Sequence, residues 1–236
     1  MPHLLDTSRT KPIVLIDIHT HTSPRSDDSL VSPEELMSQA KRSGLEGICL
    51  TEHDSFWPPI PLESLSEEYG VTIFPGCEVT TEEGHLLVFG LDRYVFGMHR
   101  AAFVRELVDR AGGAIVLAHP YRRVYRQGTA LQEGDYGDLI AQTSHLPVIS
   151  LVDAVEVLNG RGSKEENDFA AELSQRSNLK GVGGSDSHQI TDIGAYATEF
   201  AHPVRNVGEL VQEIKAGRFR PVALAKGCGS LYIERK

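Results

Sequence analysis

Short apolar runs alternate with segments of helical periodicity along most of the chain. The runs that predict strands cover residues 13–19, 46–51, 71–77, 86–90, 114–118, 154–158 and 180–183. Most of them are continuously apolar, as is typical of strands buried on both faces. Alternation of strands with helices predicts an α/β protein with a parallel sheet, and seven buried strands favour a closed or nearly closed barrel.

The first helix has the clearest boundaries in the sequence. Ser32, Pro33 and Glu35 occupy the positions of a capping box, and Leu36 and Ala40 lie on one face, so we predict a helix to about residue 43. Apolar residues three or four positions apart predict further helices over residues 100–111, 164–176 and 207–216. Residues 121–147 are the least periodic stretch and are predicted to form a long loop.

The composition indicates an ordinary globular protein. The chain has 236 residues and is 40% hydrophobic, and we expect one domain over residues 1–236, with residues 1–11 as a loosely packed extension. No apolar run is long enough to cross a bilayer and the N-terminus resembles no secretion signal, so we expect a cytoplasmic protein without membrane partners. Three widely spaced cysteines, Cys49, Cys77 and Cys228, argue against a disulfide framework or a thiolate zinc site.

The net charge restricts the class of partner. A formal charge of −10 disfavours long nucleic acids, because binding to a phosphate backbone needs a basic face. Acidic residues that surround bound cations would account for part of this charge. The candidate chemistry therefore depends on where the acids and histidines lie relative to the predicted strands.

Histidines and acids follow the predicted strands repeatedly. His19 and His21 alternate along an extended segment, so their side chains leave by the same face and can converge on one ion. Residues of the same kind follow other apolar runs, namely His53, Glu78, His119, Asp186 and His188. In α/β barrels, chemistry gathers at the carboxyl ends of the strands. The pattern predicts a metal centre at that end of the barrel.

The chemistry of these side chains restricts the metal. Imidazole and carboxylate ligands without thiolates suit zinc, manganese or iron better than calcium, which prefers oxygen ligands alone. The candidate ligands also exceed what a single ion can use. We therefore expect two or three divalent ions that share a bridging carboxylate, and Glu78 is the candidate for the bridge.

Five short motifs in order along nearly the whole chain carry a family resemblance: DIHTH, TEHD, PGCE with a following GH, AHP and GGSDSH. Together they resemble the polymerase and histidinol phosphatase (PHP) superfamily of metal-dependent phosphoesterases. The resemblance implies a distorted (β/α)7 TIM-like barrel and a centre of three metal ions. Motif by motif, it implies that the first ion is bound by His19, His21, Glu78 and Asp186, the second by Asp27, His53 and His188, and the third by Glu78, His85 and His119.

Three features limit what the resemblance transfers. Asp28 lies beside Asp27, and the spacing to Pro33 admits either as the ligand. The TEHD motif carries Glu52 where the family more often has Asp. The segment between His85 and His119 is short, whereas the nucleotide phosphatase branch has a long insertion there, so substrate identity does not transfer.

Four further residues are candidates for supporting roles. Arg122 and Arg123 directly follow His119, and a guanidinium beside a metal cluster suits a phosphate oxygen, so we predict them as substrate contacts. Asp17 and Asp54 flank predicted ligands and are candidates to orient the imidazoles.

The expected activity is hydrolysis of a small phosphorylated substrate, a phosphomonoester such as a nucleotide or sugar phosphate. A metal-bound water would be the nucleophile, with Asp186 and His188 as candidate proton shuttles. One alternative is a nuclease or exonuclease that acts on short oligonucleotides, and another is a non-catalytic PHP module. An amidohydrolase-like barrel that acts on C–N bonds fits less well, because no lysine suited to carboxylation lies at a strand end.

Overall fold

The computed structural model describes residues 14–122 and 135–224. These residues form one nine-stranded sheet with helices packed around it. The strands are β1 (Val14–Thr20), β2 (Gly47–Leu50), β3 (Thr72–Thr81), β4 (Gly84–Phe89), β5 (Ala114–Ala118), β6 (Ala154–Asn159), β7 (Lys180–Gly184), β8 (Tyr196–Phe200) and β9 (Phe219–Ala223).

The four predicted helices are confirmed with small shifts at their ends, and the helices over Pro59–Tyr69 and Asp135–Thr143 were not predicted. The helices are α1 (Pro33–Arg42), α2 (Pro59–Tyr69), α3 (Ala101–Ala111), α4 (Asp135–Thr143), α5 (Lys164–Arg176) and α6 (Val207–Ala216), and a 3-10 helix covers Pro147–Leu151. The capping box before α1 is present, with reciprocal bonds between Ser32 and Glu35. The prediction of one long loop over residues 121–147 is wrong for its second half, which contains α4.

The sheet is mixed, in the order β7-β6-β5-β4-β3-β2-β1-β8-β9. Strands β1 to β3 run parallel, as do β5 to β7, whereas β4 is antiparallel to both of its neighbours. The predicted barrel class and all seven predicted strands are confirmed. Strict alternation of strand and helix is wrong at β4, because a tight turn joins it to β3, and the prediction also missed the antiparallel pair β8 and β9.

A seam between β1, β7 and β8 nearly closes the barrel. The backbone N–H of Asp186 donates to the carbonyl of His19 at 2.8 Å, and that of His21 donates to Ser187 at 3.1 Å. Lower down, the hydroxyl of Thr198 donates to the carbonyl of Gly183 and accepts from its N–H, both at 2.9 Å. A side chain thus replaces part of a strand-to-strand ladder, and the segment after β7 lies directly against the end of β1.

Alternation along the strands divides the core into layers. One buried cluster takes residues from β1 to β8 and from α6, among them Ile16, Phe74 and Val116, and fills the barrel. The neighbouring positions Ile115 and Leu117 point the other way and pack in the cluster that includes α3. A third cluster lies under α1 and α2. The polar residues therefore occupy one end of an otherwise apolar interior.

Candidate metal centre

The predicted ligands lie at one end of the barrel because each follows or ends a strand that points there. His19 and His21 lie at the end of β1, His119 follows β5, and Asp186 follows β7. His85 reaches the same end although its strand is antiparallel, because it lies at the start of β4 opposite Thr80. His85 therefore enters the site from the beginning of its strand, whereas the four ligands above come from strand ends.

Glu78 lies at the middle of the cluster and is 1% exposed. Its Oε1 is 2.7 Å from Nδ1 of His85 and 2.9 Å from Nε2 of His119. Its Oε2 is 3.0 Å from Nδ1 of His53 and 3.3 Å from Nε2 of both His19 and His21. A single buried carboxylate thus faces five imidazoles, which is the geometry expected of a ligand shared between ions.

Two further carboxylates, those of Asp186 and Asp28, complete the cluster. Oδ1 of Asp186 lies 3.6 Å from Nε2 of His19 and 3.5 Å from Nε2 of His21. Asp28 lies 3.3 Å from Nε2 of His53 and 3.1 Å from Nε2 of His188. Three subsets bring their ligand atoms close enough for a shared ion: His21 with His53 and His188, His19 with Glu78 and His119, and His19 with His21 and Asp186.

Unsatisfied atoms in the cluster fit the binding of cations. Nε2 of His19, His21 and His188 and Oε2 of Glu78 are buried, and although they lie 3.0–3.6 Å from other polar atoms of the cluster, none of them makes a hydrogen bond of good geometry within the described residues. Buried polar atoms normally have a partner, so four unsatisfied atoms that converge in one place are unusual. Because they are imidazole nitrogens and a carboxylate oxygen, they suit zinc, manganese or iron. The residues present therefore fit a divalent metal centre.

A buried acid that the sequence analysis missed fixes the orientation of His19. Glu156, which is fully buried, lies 3.0 Å from Nδ1 of His19 and accepts from the backbone N–H of His119 at 3.0 Å and from Nδ2 of Asn159 at 2.9 Å. Contacts of this kind hold a metal-binding imidazole in one orientation and tautomer. The signal in the sequence was an acidic residue inside the apolar run AVEVLN.

Glu52 performs the corresponding task on the other side of the cluster. Its carboxylate accepts hydrogen bonds from the hydroxyls of Thr22 and Ser26 and from Nε1 of Trp57. The Ser26 hydroxyl in turn lies 3.1 Å from Nδ1 of His21. Within the described residues, the side chain of Glu52 makes no hydrogen bond or ion pair with a predicted ligand, and it fixes the loop that orients His21.

The backbone is constrained where the ligands enter the site. His119 and Asp186 both have positive φ, +24° and +52°, a region that side-chain-bearing residues adopt at a cost of about 1–3 kcal/mol. At Gly184, a Cβ atom would lie 2.6 Å from Cβ of His19, so only glycine lets β7 approach β1 this closely. Such strain is typical of functional sites.

Mutual electrostatics dominate the ionisation of the cluster. Burial by itself would lower the pKa of His19, but the carboxylates of Glu156, Asp186 and Glu78 outweigh it and hold that pKa well above its usual range. Burial would raise the pKa of Glu78 and of Asp186, yet the surrounding histidines, His19 first, hold both well below their usual range. Positive charge at the centre is thus strongly favoured, whether protons or metal ions supply it.

The ligands open into a cleft of about 290 Å³. Two arginines that line it, Arg122 and Arg161, differ in their contacts. Arg122 donates to Asp186 at 2.7 Å and to Oδ1 of Asn159 at 2.9 Å, so it holds a predicted ligand. Arg161, which the sequence analysis did not select, lines the cleft from the loop between β6 and α5.

Several predicted residues lie elsewhere or contact other groups. Asp27 is exposed, and Asp28 is the acid that contacts His53 and His188, so Asp28 replaces Asp27 in the proposed ligand set. Asp17 accepts from the backbone N–H groups of His19 and Ser185, and Asp54 accepts from that of Thr80, so these carboxylates fix backbone rather than imidazoles. Arg123 lies outside the described residues.

None of the described helices is both long and apolar enough to cross a membrane.

The fold and site together define a class of protein, an α/β barrel with a candidate multinuclear metal centre at its mouth. The profile of the PHP domain family matches residues 17–182, and that of the PHP-associated family matches residues 164–219. The chain belongs to the PHP family.

Other proteins are similar to this chain in sequence or in fold. An uncharacterized protein of Methanocaldococcus jannaschii is 25% identical over 114 residues, which cover 44% of this chain and 67% of that protein. A two-domain protein of Bacteroides vulgatus, described as containing a PHP-like metal-dependent phosphoesterase, has a similar fold (TM-score 0.64, 19% identity); the match covers 90% of this chain and 65% of that one, less than two thirds of its length. PsfC of Pseudomonas syringae PB-5123 is also similar in fold (TM-score 0.62, 19% identity, 91% of this chain and 93% of that one).

Proposed function

We propose that the protein is a metal-dependent phosphoesterase that hydrolyses a small phosphate monoester. The observation that carries the proposal is the convergence of unsatisfied imidazole nitrogens on Glu78 and Asp186 at the base of a cleft lined by two arginines. Membership of the PHP family supports the same reaction class. Two or three divalent ions are the proposed cofactors.

Each part of the site has a defined task in this reaction. His19, His21, His53, His85, His119, His188, Asp28, Glu78 and Asp186 would hold the ions. Divalent ions, when bound, lower the pKa of a coordinated water and stabilise charge on phosphoryl oxygens. Glu156 orients the imidazole of His19, and Ser26 orients that of His21. Burial of His19, His21, Glu78 and Asp186 keeps bulk water from the base of the cleft and strengthens the electrostatic interactions there.

The size and charge of the molecule support a small substrate over a long nucleic acid. The cleft has a volume near the lower end of the range typical of small-molecule sites, roughly 300–1,000 Å³. The chain carries 33 acidic and 23 basic residues, so it offers little general attraction to a phosphate backbone. We therefore propose a phosphorylated small molecule as partner, and an oligonucleotide as the substrate class that the test must exclude.

The experiment is a phosphate-release screen on protein purified without chelator and then supplied with manganese or zinc. Sugar phosphates, nucleotides and short oligonucleotides are compared at equal concentration of ester bonds. His53→Ala is expected to abolish turnover, whereas His145→Ala, an exposed histidine after α4, leaves it unchanged. Preparations that bind no metal, or a His53→Ala variant with full activity, would contradict the proposal.

A further inference from the structure

The two arginines of the cleft differ in how their charge is balanced. Arg122 is half-buried, and its guanidinium is engaged by Asp186 and Asn159. Arg161 is exposed, and its guanidinium makes no ion pair or hydrogen bond with any residue in the described ranges. Among the described residues, Arg25, Arg42 and Arg100 also lack a carboxylate partner, but they do not line the cleft, and Arg161 is the arginine of the cleft whose charge is unpaired. Arg161 thus brings an uncompensated positive charge to the cleft.

The backbone that carries Arg161 is fixed although its guanidinium is not. The Arg161 N–H donates to Oδ1 of Asn159 at 3.0 Å, the same oxygen that accepts from Arg122. The preceding Gly160 donates to the carbonyl of Gly184 at 3.1 Å. A Cβ at Gly160 would lie 2.4 Å from the carbonyl oxygen of Ser185, so the loop is pressed against the segment that carries Asp186. The base of the side chain is therefore held beside the metal centre.

Arg161 lies at the rim of the cleft. It is exposed, whereas Glu78 and Asp186 at the base of the cleft are 1% and 2% exposed.

We propose that Arg161 binds a second anionic group of the substrate, a phosphate or a carboxylate on the part that leaves with the ester oxygen. The inference rests on the proposed function. The reacting phosphoryl group must reach the buried ligands at the base of the cleft, so the group that meets an arginine at the rim belongs to the other end of the substrate. A guanidinium pairs with phosphate or carboxylate through two parallel hydrogen bonds. Arg122, already bound to Asp186, is a positioning residue.

The test compares three substrates of equal chain length with the manganese-loaded protein. They are propyl phosphate, the phosphate ester of 3-hydroxypropanoate, and propane-1,3-diol bisphosphate, whose far ends carry a methyl group, a carboxylate and a second phosphate. The variants are Arg161→Ala and Arg161→Lys. The control is Arg176→Ala, which removes the same charge from the far end of α5, where Arg176 pairs with Glu172 at 2.8 Å.

Arg161→Ala is expected to raise KM for the two substrates with a second anionic group by about ten- to a hundredfold, the range for a lost hydrogen bond to a charged group. Their kcat and the KM for propyl phosphate stay within about twofold. Arg161→Lys recovers part of the loss, because it restores charge without the paired hydrogen bonds. Arg176→Ala changes nothing. The carboxylate and phosphate arms distinguish which anion is preferred.

Two results would overturn the proposal: an equal loss on all three substrates, which would place Arg161 on the reacting phosphoryl group, or no change on any of them. Calorimetry on the same metal-loaded variants separates this outcome from failure of the proposed function. Arg161→Ala should weaken binding of propane-1,3-diylbisphosphonate and leave that of propylphosphonate unaffected. If the wild-type protein hydrolyses no ester, the proposed function fails, and this binding difference still decides the role of Arg161.

Discussion

Nδ1 of His19 lies 3.0 Å from Oε1 of Glu156, and neither side chain is exposed. The contact determines which nitrogen of His19 is presented to the cluster, because Nε2 on the opposite side of the ring then faces Glu78 at 3.3 Å. The same carboxylate accepts from the backbone N–H of His119. One acid in β6 thus aligns a ligand from β1 with another from the end of β5.

The variant Glu156→Gln tests this alignment. Three donors surround the carboxylate, and an amide would direct its own NH2 group at one of them. We expect affinity for zinc or manganese to fall by about 10–100-fold, the usual effect of losing a group that orients a metal ligand. Isothermal titration of metal into chelator-treated protein measures the effect.

The matched control is Glu172→Gln, which changes an exposed acid in α5. It should bind metal as the wild type does. Unchanged affinity in a correctly folded Glu156→Gln variant would show that His19 is oriented by other groups.

The neighbouring acids Asp27 and Asp28 allow a sharp comparison. Both acids are exposed, but Asp28 contacts His53 and His188, whereas Asp27 forms no ion pair with either histidine within the described residues. We expect Asp28→Asn to reduce the number of ions bound, because a neutral amide is a poor ligand for these metals. The turnover should fall by at least about tenfold. Asp27→Asn should match the wild type in elemental analysis and in phosphate release. The reverse result would restore Asp27 as the ligand.

Arg122 is expected to behave differently from Arg161. Removal of its guanidinium leaves Asp186, which is 2% exposed, without its charged partner. Arg122→Ala should therefore weaken metal binding and lower kcat both on propyl phosphate and on substrates with a second anionic group. Titration of metal together with steady-state kinetics on propyl phosphate and propane-1,3-diol bisphosphate measures both effects. A defect restricted to the bisphosphate would instead make Arg122 a contact for the second anion.

The pH dependence of stability should differ between the metal-free and metal-loaded proteins. Carboxylates raise the pKa of His19 and His21 above the ordinary 6.5, although burial opposes the shift. The folded state then keeps protons that the unfolded state releases, so this contribution is fully present below pH 6.5 and is lost as the pH rises through the folded pKa values. Urea unfolding with EDTA should show a free energy of unfolding that falls from about pH 6.5 to 8.5.

Metal ions reverse this trend, because they bind neutral imidazole and their affinity rises as protons leave. The stabilisation gained on adding zinc or manganese should therefore grow over the same pH interval. A metal-free protein with constant stability from about pH 6.5 to 8.5 would mean that the carboxylates do not hold protons on these histidines.

Much of the fold could be predicted because β1 to β7 are buried on both faces and so appear as apolar runs. Strands β8 and β9 were missed because their exposed faces carry polar residues such as Glu199 and Arg220, which form an ion pair. Helix α2 was missed because three prolines, at 58, 59 and 61, obscure its beginning. Local patterns record burial, and they record little about elements with one polar face.

The ligands could be predicted because imidazoles and carboxylates at strand ends share a common direction. The choice between Asp27 and Asp28 could not, since it depends on a loop held by Ser26 and Glu52. Glu156 was counted as part of its strand because its neighbours are apolar. Arg161 has no signal in the sequence. It was identified because it lines the cleft and its guanidinium has no partner within the described residues.

The seam that closes the barrel runs through the proposed centre. His19 and His21 lie on one side of it and Asp186 on the other, and the backbone hydrogen bonds that join the two sides include Asp186 to His19 and His21 to Ser187. Ions bound by ligands from both sides would stabilise this junction. Removal of the ions with a chelator should therefore open the barrel locally at this junction first. The amide protons of His21 and Asp186 should then exchange with solvent sooner than those inside β2 and β3.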